Sequence, residues 1–237
     1  MHTGRTPLSN NVADVLEQVL QLGFKPATII DVGVASGTTS LYRAFPEAFH
    51  LLIEPLEEFN ETIQELLRSY RSEFIQAAAS STDGELMINV HKEHLAGSSI
   101  FKEEMGPEFD GELRKVKSVR IDTIVREKGL KGPFLMKIDV QGAEEEVLKG
   151  AQETLNDTEI VLLEVSLFEF MKGAPQFAEV VEYMKQHKFV VYDVYGGAKR
   201  PLDDALGQVD VAFVKEQGMF RTDHRYATAD QWQKMTT

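Results

Sequence analysis

The sequence predicts an α/β fold built on a mostly parallel, doubly wound sheet with an antiparallel hairpin at its edge. Short apolar, β-branched runs alternate with amphipathic stretches through most of the 237 residues, the pattern of parallel strands joined by crossover helices. One such run, Ile29-Ile30, ends in Asp31 and a glycine-containing turn that opens a helix. The last two runs, KFVVYDVYG and QVDVAFVK, are separated only by the loop Gly196–Gly207, which makes them antiparallel neighbours.

Taken in order, residues 9–23 read as a helix, with Ser9 or Asn10 as cap, Gly23 as stop, and an apolar stripe of Val12, Val15, Leu16, Val19 and Leu20. The Asp31 strand and its helix follow. HLLIEP is a second strand, 57–70 is amphipathic, and SEFIQAAAS reads as a third strand. Residues 83–121 are an expected insertion, with strand character in DGELMINV and VKSVRIDTIV around a polar, acidic stretch from His91 to Arg114. A long loop in a compact domain is usually functional or mobile. PFLMKIDV is the next strand, 142–155 a helix, EIVLLEVS a strand and 175–187 a helix before the closing hairpin. The tail, 217–237, carries Phe220, Tyr226 and Trp232, with packing against the domain as its default role. No repeat or Pro/Ser-rich linker divides the chain, so 1–237 reads as one domain.

The composition excludes several chemistries. There is no cysteine, hence no disulfide, thiolate metal site or Cys nucleophile. The formal net charge of −13 disfavours nucleic acid and anionic membranes as partners. Arg114, Lys115 and Lys117 form the densest basic patch and read as solvated surface. The opening MHTGRTPLSNN lacks the marks of a signal peptide, and no apolar run reaches the ~20 residues that span a bilayer. The expectation is a soluble, cytoplasmic protein of unspecified oligomeric state.

The first constellation is Asp31-Val-Gly33-Val-Ala-Ser-Gly37, at the carboxyl end of a strand, where α/β folds bind ligands. Its glycines admit close approach of a ligand to the backbone, and free N–H groups at a helix start can take a carboxylate. Glu54 follows the second strand and suits a ribose diol. The G-x-x-x-G spacing is not that of a dinucleotide or P-loop site, and no basic residue lies between Asp31 and Tyr42 to serve a polyphosphate. S-adenosylmethionine has no phosphate and carries a cationic sulfonium and amine, which Asp31 and Glu54 suit.

The second constellation is LMKIDVQGAE, with Glu164 on the following strand. Buried parallel strands are usually continuous apolar runs. Lys137 and Asp139 interrupt this one and point to the same face. Such charges are paired or functional, so a structural ion pair of Lys137 with Asp139 or Glu164 stands beside a catalytic role. Glu145 and Glu146 suit the first turn of the next helix electrostatically. His91 and His94 read as a solvated loop ahead of a metal pair.

At these residues the chain resembles the FkbM family of methyltransferases. The resemblance rests on IDVGxxxG at Ile30–Gly37, EP at Glu54–Pro55, RIDTI at Arg120–Ile124, and above all KIDVQGAEEEVLKGA at Lys137–Ala151, and it covers roughly residues 27–215. It implies the Rossmann-like, seven-stranded class I methyltransferase sheet and O-methylation of sugars, glycans or polyketide-type natural products. It further implies that Asp31, Gly33 and Gly37, with Val34, Ser36 and Thr38 in the same turn, hold the methionine end of the cofactor. Glu54 and Pro55 would lie at the ribose, Ala78 at the adenine, and Asp139 beside the transferred methyl. The family commonly has Ala-Asn after the first glycine; here Val34-Ala35 stands in that place.

The expected reaction is one in-line methyl transfer to a hydroxyl oxygen of a small-molecule or glycan acceptor, with the enzyme chiefly positioning the reactants. Asp139 would accept or orient the hydroxyl proton, and Lys137 and Glu164 would support it. The carboxylates could instead hold Mg²⁺. N-methyl transfer is the nearest rival, a nucleoside-binding module without catalysis the second, and an NAD-dependent oxidoreductase a weaker third.

Overall fold

The computed structural model describes residues 8–106 and 109–236. The first seven residues, with most of the MHTGRTPLSNN segment and His2, lie outside them, as does Thr237 of the tail. The elements run α1 Val12–Gln21, β1 Thr28–Val32, α2 Thr39–Ala44, β2 Phe49–Ile53, α3 Asn60–Ser69, β3 Ser72–Ile75, β4 Ala78–Ala79, β5 Gly84–Val90 and β6 Glu112–Val119. They continue α4 Ile121–Lys128, β7 Phe134–Ile138, α5 Glu144–Lys149, β8 Thr158–Ser166, α6 Phe177–Gln186, β9 Phe189–Lys199, β10 Leu206–Lys215 and α7 Ala229–Thr236. The main sheet has seven strands in the order β3-β2-β1-β7-β8-β10-β9. Only β10 runs against its neighbours, pairing antiparallel with both β8 and β9. This is the mostly parallel sheet with an antiparallel edge hairpin that the alternation of runs implies.

Strand periodicity divides the core into two layers. Ile30, Val32, Met136, Ile138, Val161, Leu163, Val211 and Phe213 face one side, against Ile121 and Ile124 of α4, Val147 and Leu148 of α5, and Val180 and Met184 of α6. Ile29, Leu135, Ile160, Leu162, Ala212 and Val214 face the other, against Val15, Leu16 and Val19 of α1 and Leu41 of α2. Among the described residues no helix is long and apolar enough to cross a membrane.

Several boundaries differ from those the sequence suggests. The α1 cap is Asn11, whose side chain accepts from the Ala13 and Asp14 N–H groups. Ser9 instead donates to Asp193 at 2.6 Å. Leu20 falls off the buried stripe and is 40% exposed. SEFIQAAAS is two strands: the Ala77 N–H turns back to the Ile75 carbonyl, and β4 leaves the main sheet to pair with β6. β4, β6 and β5 form a second, three-stranded sheet, with β5 and β6 as an antiparallel hairpin. The strand reading of VKSVRIDTIV fails after Arg120, because Ile121 and Ile124 bury one helical face and Gly129 ends the helix with φ 62. The helix expected over 142–155 is only α5, followed by a turn and a 3₁₀ segment, Thr154–Asp157.

The RIDTI motif explains that segment. Asp122 is buried and accepts from the Thr154 N–H at 2.9 Å, the Thr154 hydroxyl at 2.8 Å and the Glu153 N–H at 3.1 Å. It caps the chain just before β8. Gly150 passes so close to the loop after β4 that an added Cβ would lie 2.0 Å from the Ser80 carbonyl oxygen. Backbone cannot yield as a side chain can, so Gly150→Ala should destabilise the protein by about 1–3 kcal/mol, read as a lower urea midpoint with an unchanged m-value.

Candidate functional site

Register and side-chain alternation assemble the charged groups at the carboxyl ends of β1, β7 and β8 and in the amino half of the antiparallel β10. Asp31 on β1 is directly opposite Lys137 on β7. Lys137 is opposite Leu162 on β8, so Asp139 and Glu164, each two residues further on, stand side by side. Glu164 is opposite Asp210 on β10, and Asp210 is opposite Tyr195 on β9. All occupy the α1 side of the sheet.

Lys137 is the hub. Its Nζ lies 3.6 Å from Asp31 Oδ1 and 3.3 Å from Asp139 Oδ2, and it donates to the Gly33 carbonyl at 3.4 Å. Burial alone would pull this ammonium down, but the Asp31 and Asp139 charges outweigh it and hold the pKa above the ordinary lysine value. Asp31 is fully buried and also accepts from the Tyr42 hydroxyl. Burial raises its pKa, with Lys137 and Tyr42 pulling back. Burial pushes Glu164 up to about 7, with Asp139 and Asp210 adding like charge. Burial and Asp139 push Asp210 up to about 6, against Lys137.

The turn after β1 shows why its glycine is required. A Cβ on Gly33 would lie 1.9 Å from the Asp139 carbonyl oxygen, and its φ is +73. Two residues on, Ala35 holds the left-handed region with φ 44, where asparagine is far more at ease than alanine. That conformation aims the Ala35 N–H at Glu54 Oε2, 3.1 Å away, while Glu54 Oε1 accepts from the Leu56 N–H at 3.0 Å. Burial raises the Glu54 pKa against these two donors.

Above these strand ends lies a cavity of about 320 Å³. Ile53, Glu54, Pro55, Leu56, Phe59, Ala78, Ala79 and Ile88 form one end, and Asp139, Gln141, Glu164 and Gln208 the other. Residues 94–100 of the insertion roof it. Neither lysine nor arginine lines it. A smaller hollow of about 200 Å³ adjoins through Asp139 and Glu164, bounded also by Val12, Thr38, Lys137, Tyr195 and Asp210.

Of the sequence-predicted residues, Gly33, Glu54, Pro55, Ala78, Asp139 and Glu164 line the cavity, and Thr38 and Lys137 the hollow. Asp31 and Val34 lie beneath; Val34 packs with Tyr42, Leu52 and Ile63. Ser36 is exposed, and Gly37 completes the turn with φ +85. The ion pair of Lys137 is with Asp139 and Asp31, and Glu164 takes amide donors instead, from Gln141 at 2.7 Å and Gln208 at 3.1 Å.

Sequence reasoning missed Asp210, although it breaks the run QVDVAFVK as Lys137 and Asp139 break theirs. It also missed Gln141, Gln208, Tyr195 and the roof. His94 belongs to that roof, while His91 lies 3.6 Å from Glu103. Among the described residues no three His, Asp or Glu side chains are grouped so as to hold a metal ion.

The raised acids make stability depend on pH. Glu164 titrates in the fold near 7 against about 4.5 when unfolded, so the folded state prefers its protonated form. The stability present below about pH 4.5 is therefore lost as pH rises through 7. Glu164→Gln removes that loss. It should be about 1–3 kcal/mol more stable than wild type at pH 8 and no more stable at about pH 4, as measured by urea unfolding at both values.

The chain is similar to several known methyltransferases. A stretch is 33% identical over 82 residues to the 2-O-methyltransferase NoeI of Sinorhizobium fredii (strain NBRC 101917 / NGR234), covering 35% of this chain and 33% of that protein. The aligned region thus spans about a third of the curated relative. Among solved structures, an rRNA methylase from Streptococcus thermophilus superposes with a TM-score of 0.48 at 11% identity, over 89% of this chain and 99% of that one. Magnesium protoporphyrin IX methyltransferase from Synechocystis PCC 6803, solved with bound SAM, gives 0.47 at 12% identity, over 86% and 76%. The methyltransferase FkbM domain model matches residues 31–191, which carry the glycine turn, Glu54, Asp139 and Glu164. The chain belongs to the FkbM family of methyltransferases.

Proposed function

We propose that this protein transfers the methyl group of S-adenosylmethionine to a hydroxyl oxygen of a sugar, glycan or natural-product acceptor. The observation that carries the reading is the cavity itself: a buried carboxylate, Glu54, at an apolar end, further carboxylates at the other, and no lysine or arginine among the described residues that line it. A dinucleotide or nucleoside triphosphate would bring phosphates into that negative field uncompensated. An adenosyl group with a cationic sulfonium meets complementary groups at both ends. The 2-O-methyltransferase likeness favours oxygen as the acceptor atom.

In this reading Glu54 receives the ribose hydroxyls. Its two oxygens already accept backbone N–H groups, which fix its orientation, and each has a further lone pair to offer. Leu56, Phe59, Ala78 and Ile88 supply apolar surface for the adenine. Asp139 and Glu164 stand where the cavity meets the hollow; Thr38 would hold the amino-acid end of the donor, and Glu164 and Gln208 would face the acceptor. When bound, the donor supplies an electrophilic methyl group. Asp139, with one oxygen held by Lys137 and the other by Gln141, orients the acceptor hydroxyl and takes its proton.

Three outcomes test this. In titration calorimetry S-adenosylhomocysteine should bind with a dissociation constant on the order of micromolar, while NAD and ATP should not bind; the reverse pattern sinks the donor assignment. Glu54→Ala should weaken that binding about ten- to a hundredfold, since two hydrogen bonds to a charged acceptor are lost at a partly wet site. Unchanged affinity in the folded variant would remove Glu54 from the ribose. Asp139→Asn should lower turnover by about 10²–10⁴-fold on any acceptor found by screening sugars and phenolic alcohols with labelled donor. Wild-type turnover in that variant would return Lys137 and Asp139 to a purely structural role.

A further inference from the structure

Gln141 occupies the turn between β7 and α5, and its backbone lies in the left-handed region with φ 54. L side chains rarely adopt that conformation, and glycine would adopt it freely. The turn is pinned from two directions. The Glu144 carboxylate accepts the Val140 and Gly142 N–H groups at 3.1 and 3.2 Å. From the roof, the Ser99 hydroxyl donates to the Gln141 carbonyl at 2.7 Å. A strained residue held this firmly points to a use for its side chain.

That side chain reaches two acids at once. Gln141 Nε2 donates to Asp139 Oδ1 at 3.2 Å and to Glu164 Oε2 at 2.7 Å. The two carboxylates come from neighbouring strands and repel one another. The other groups facing them are Lys137 on β7, Asp210 and Gln208 on β10, Tyr195 on β9 and Glu144 on α5. Of these, Lys137 pairs with Asp139 and Gln208 donates only to Glu164. Gln141 alone bridges both acids. An amide suits the task, because it gives two N–H donors from one nitrogen, stays uncharged at every working pH and does not compete for a cation.

We propose that Gln141 is a positioning residue: its amide holds the Asp139 and Glu164 carboxylates side by side at the acceptor end of the cavity. The assignment rests on the methyl-transfer reading for the reaction it serves, and on the side-chain geometry for the rest. The bridge is directional in its effect. A hydrogen bond donated to a carboxylate favours the charged form, so Gln141 opposes the burial that otherwise keeps Glu164 protonated.

The test needs no methyl acceptor. The Glu164 carboxyl ¹³C resonance, assigned by its loss in Glu164→Gln, is titrated in wild type, Gln141→Ala and Gln141→Gly across about pH 4–9. The midpoint should rise by about one pH unit in both variants. The glycine variant relieves the backbone, so it separates loss of the amide from strain. A midpoint within about 0.2 units of wild type in the glycine variant overturns the assignment, whether or not the alanine variant shifts. S-adenosylhomocysteine calorimetry on the wild-type sample is run alongside. Absence of binding there refutes the donor assignment, while the Glu164 midpoints still decide the role of Gln141.

Discussion

A lysine ammonium set between two aspartates on neighbouring strands is the constraint on which the rest of the site depends. Asp31 is wholly buried, and an ionised carboxylate there is tolerable only because Lys137 stands opposite it in register. The pairing also fixes how β1 lies against β7. A slip of one residue would turn Asp31, Lys137 and Asp139 onto the apolar face that packs against α4, α5 and α6. With the register set, the Asp139 carbonyl passes so close over residue 33 that only glycine fits. The turn leaving that glycine then brings the Ala35 N–H onto Glu54. One ion pair in the sheet thus orients both ends of the cavity.

How much of this the sequence makes legible follows from how local each signal is. The glycine turn, Glu54 and the Lys137–Asp139 interruption each sit within a few residues of a strand end, so alternation and spacing expose them. The mostly parallel sheet and its edge hairpin follow equally from alternating runs. The splitting of SEFIQAAAS could not be read, because Ile75 and Ala78 are both apolar and the change of sheet is made by the chain's path between them. The helix at Ile121–Lys128 was hidden because its β-branched residues fit a strand as well; its burial against the core decides the matter. Asp122 makes the same point from the polar side, since its partners lie 31 and 32 residues away.

The acceptor end was the least legible part for a related reason. Asp210 and Tyr195 join it only through the antiparallel register of β10, which brings the last strand between β8 and β9. The roof joins it through an insertion whose polar composition marks a loop without marking where the loop lands. Asn89 at the end of β5 pins that landing, donating to the Phe101 carbonyl at 2.7 Å and bridging Ser99 through the backbone. Ser99 in turn reaches Gln141. Under the proposed function, substrate choice would fall to the segment with the weakest sequence signal, the usual division between a scaffold and the loops it carries.

The charge balance of the site joins this geometry to the proposed chemistry. Asp31, Asp139, Glu164 and Asp210 converge on a single lysine, and Lys137 neutralises chiefly the two aspartates it touches. The remaining pair, Glu164 and Asp210, titrate near 7 and 6 and are thus partly protonated at neutral pH. Methyl transfer to a hydroxyl replaces a sulfonium cation by a neutral thioether and sets free one proton from the acceptor. Loss of the cation leaves the cluster more negative, and the released proton restores the balance if a carboxylate takes it up. In the proposed reaction Asp139 would meet that proton at the acceptor, and Glu164, joined to it through Gln141, would keep it until product leaves. Under that proposal the excess of acids over the lone lysine would match the one charge and the one proton that the reaction moves.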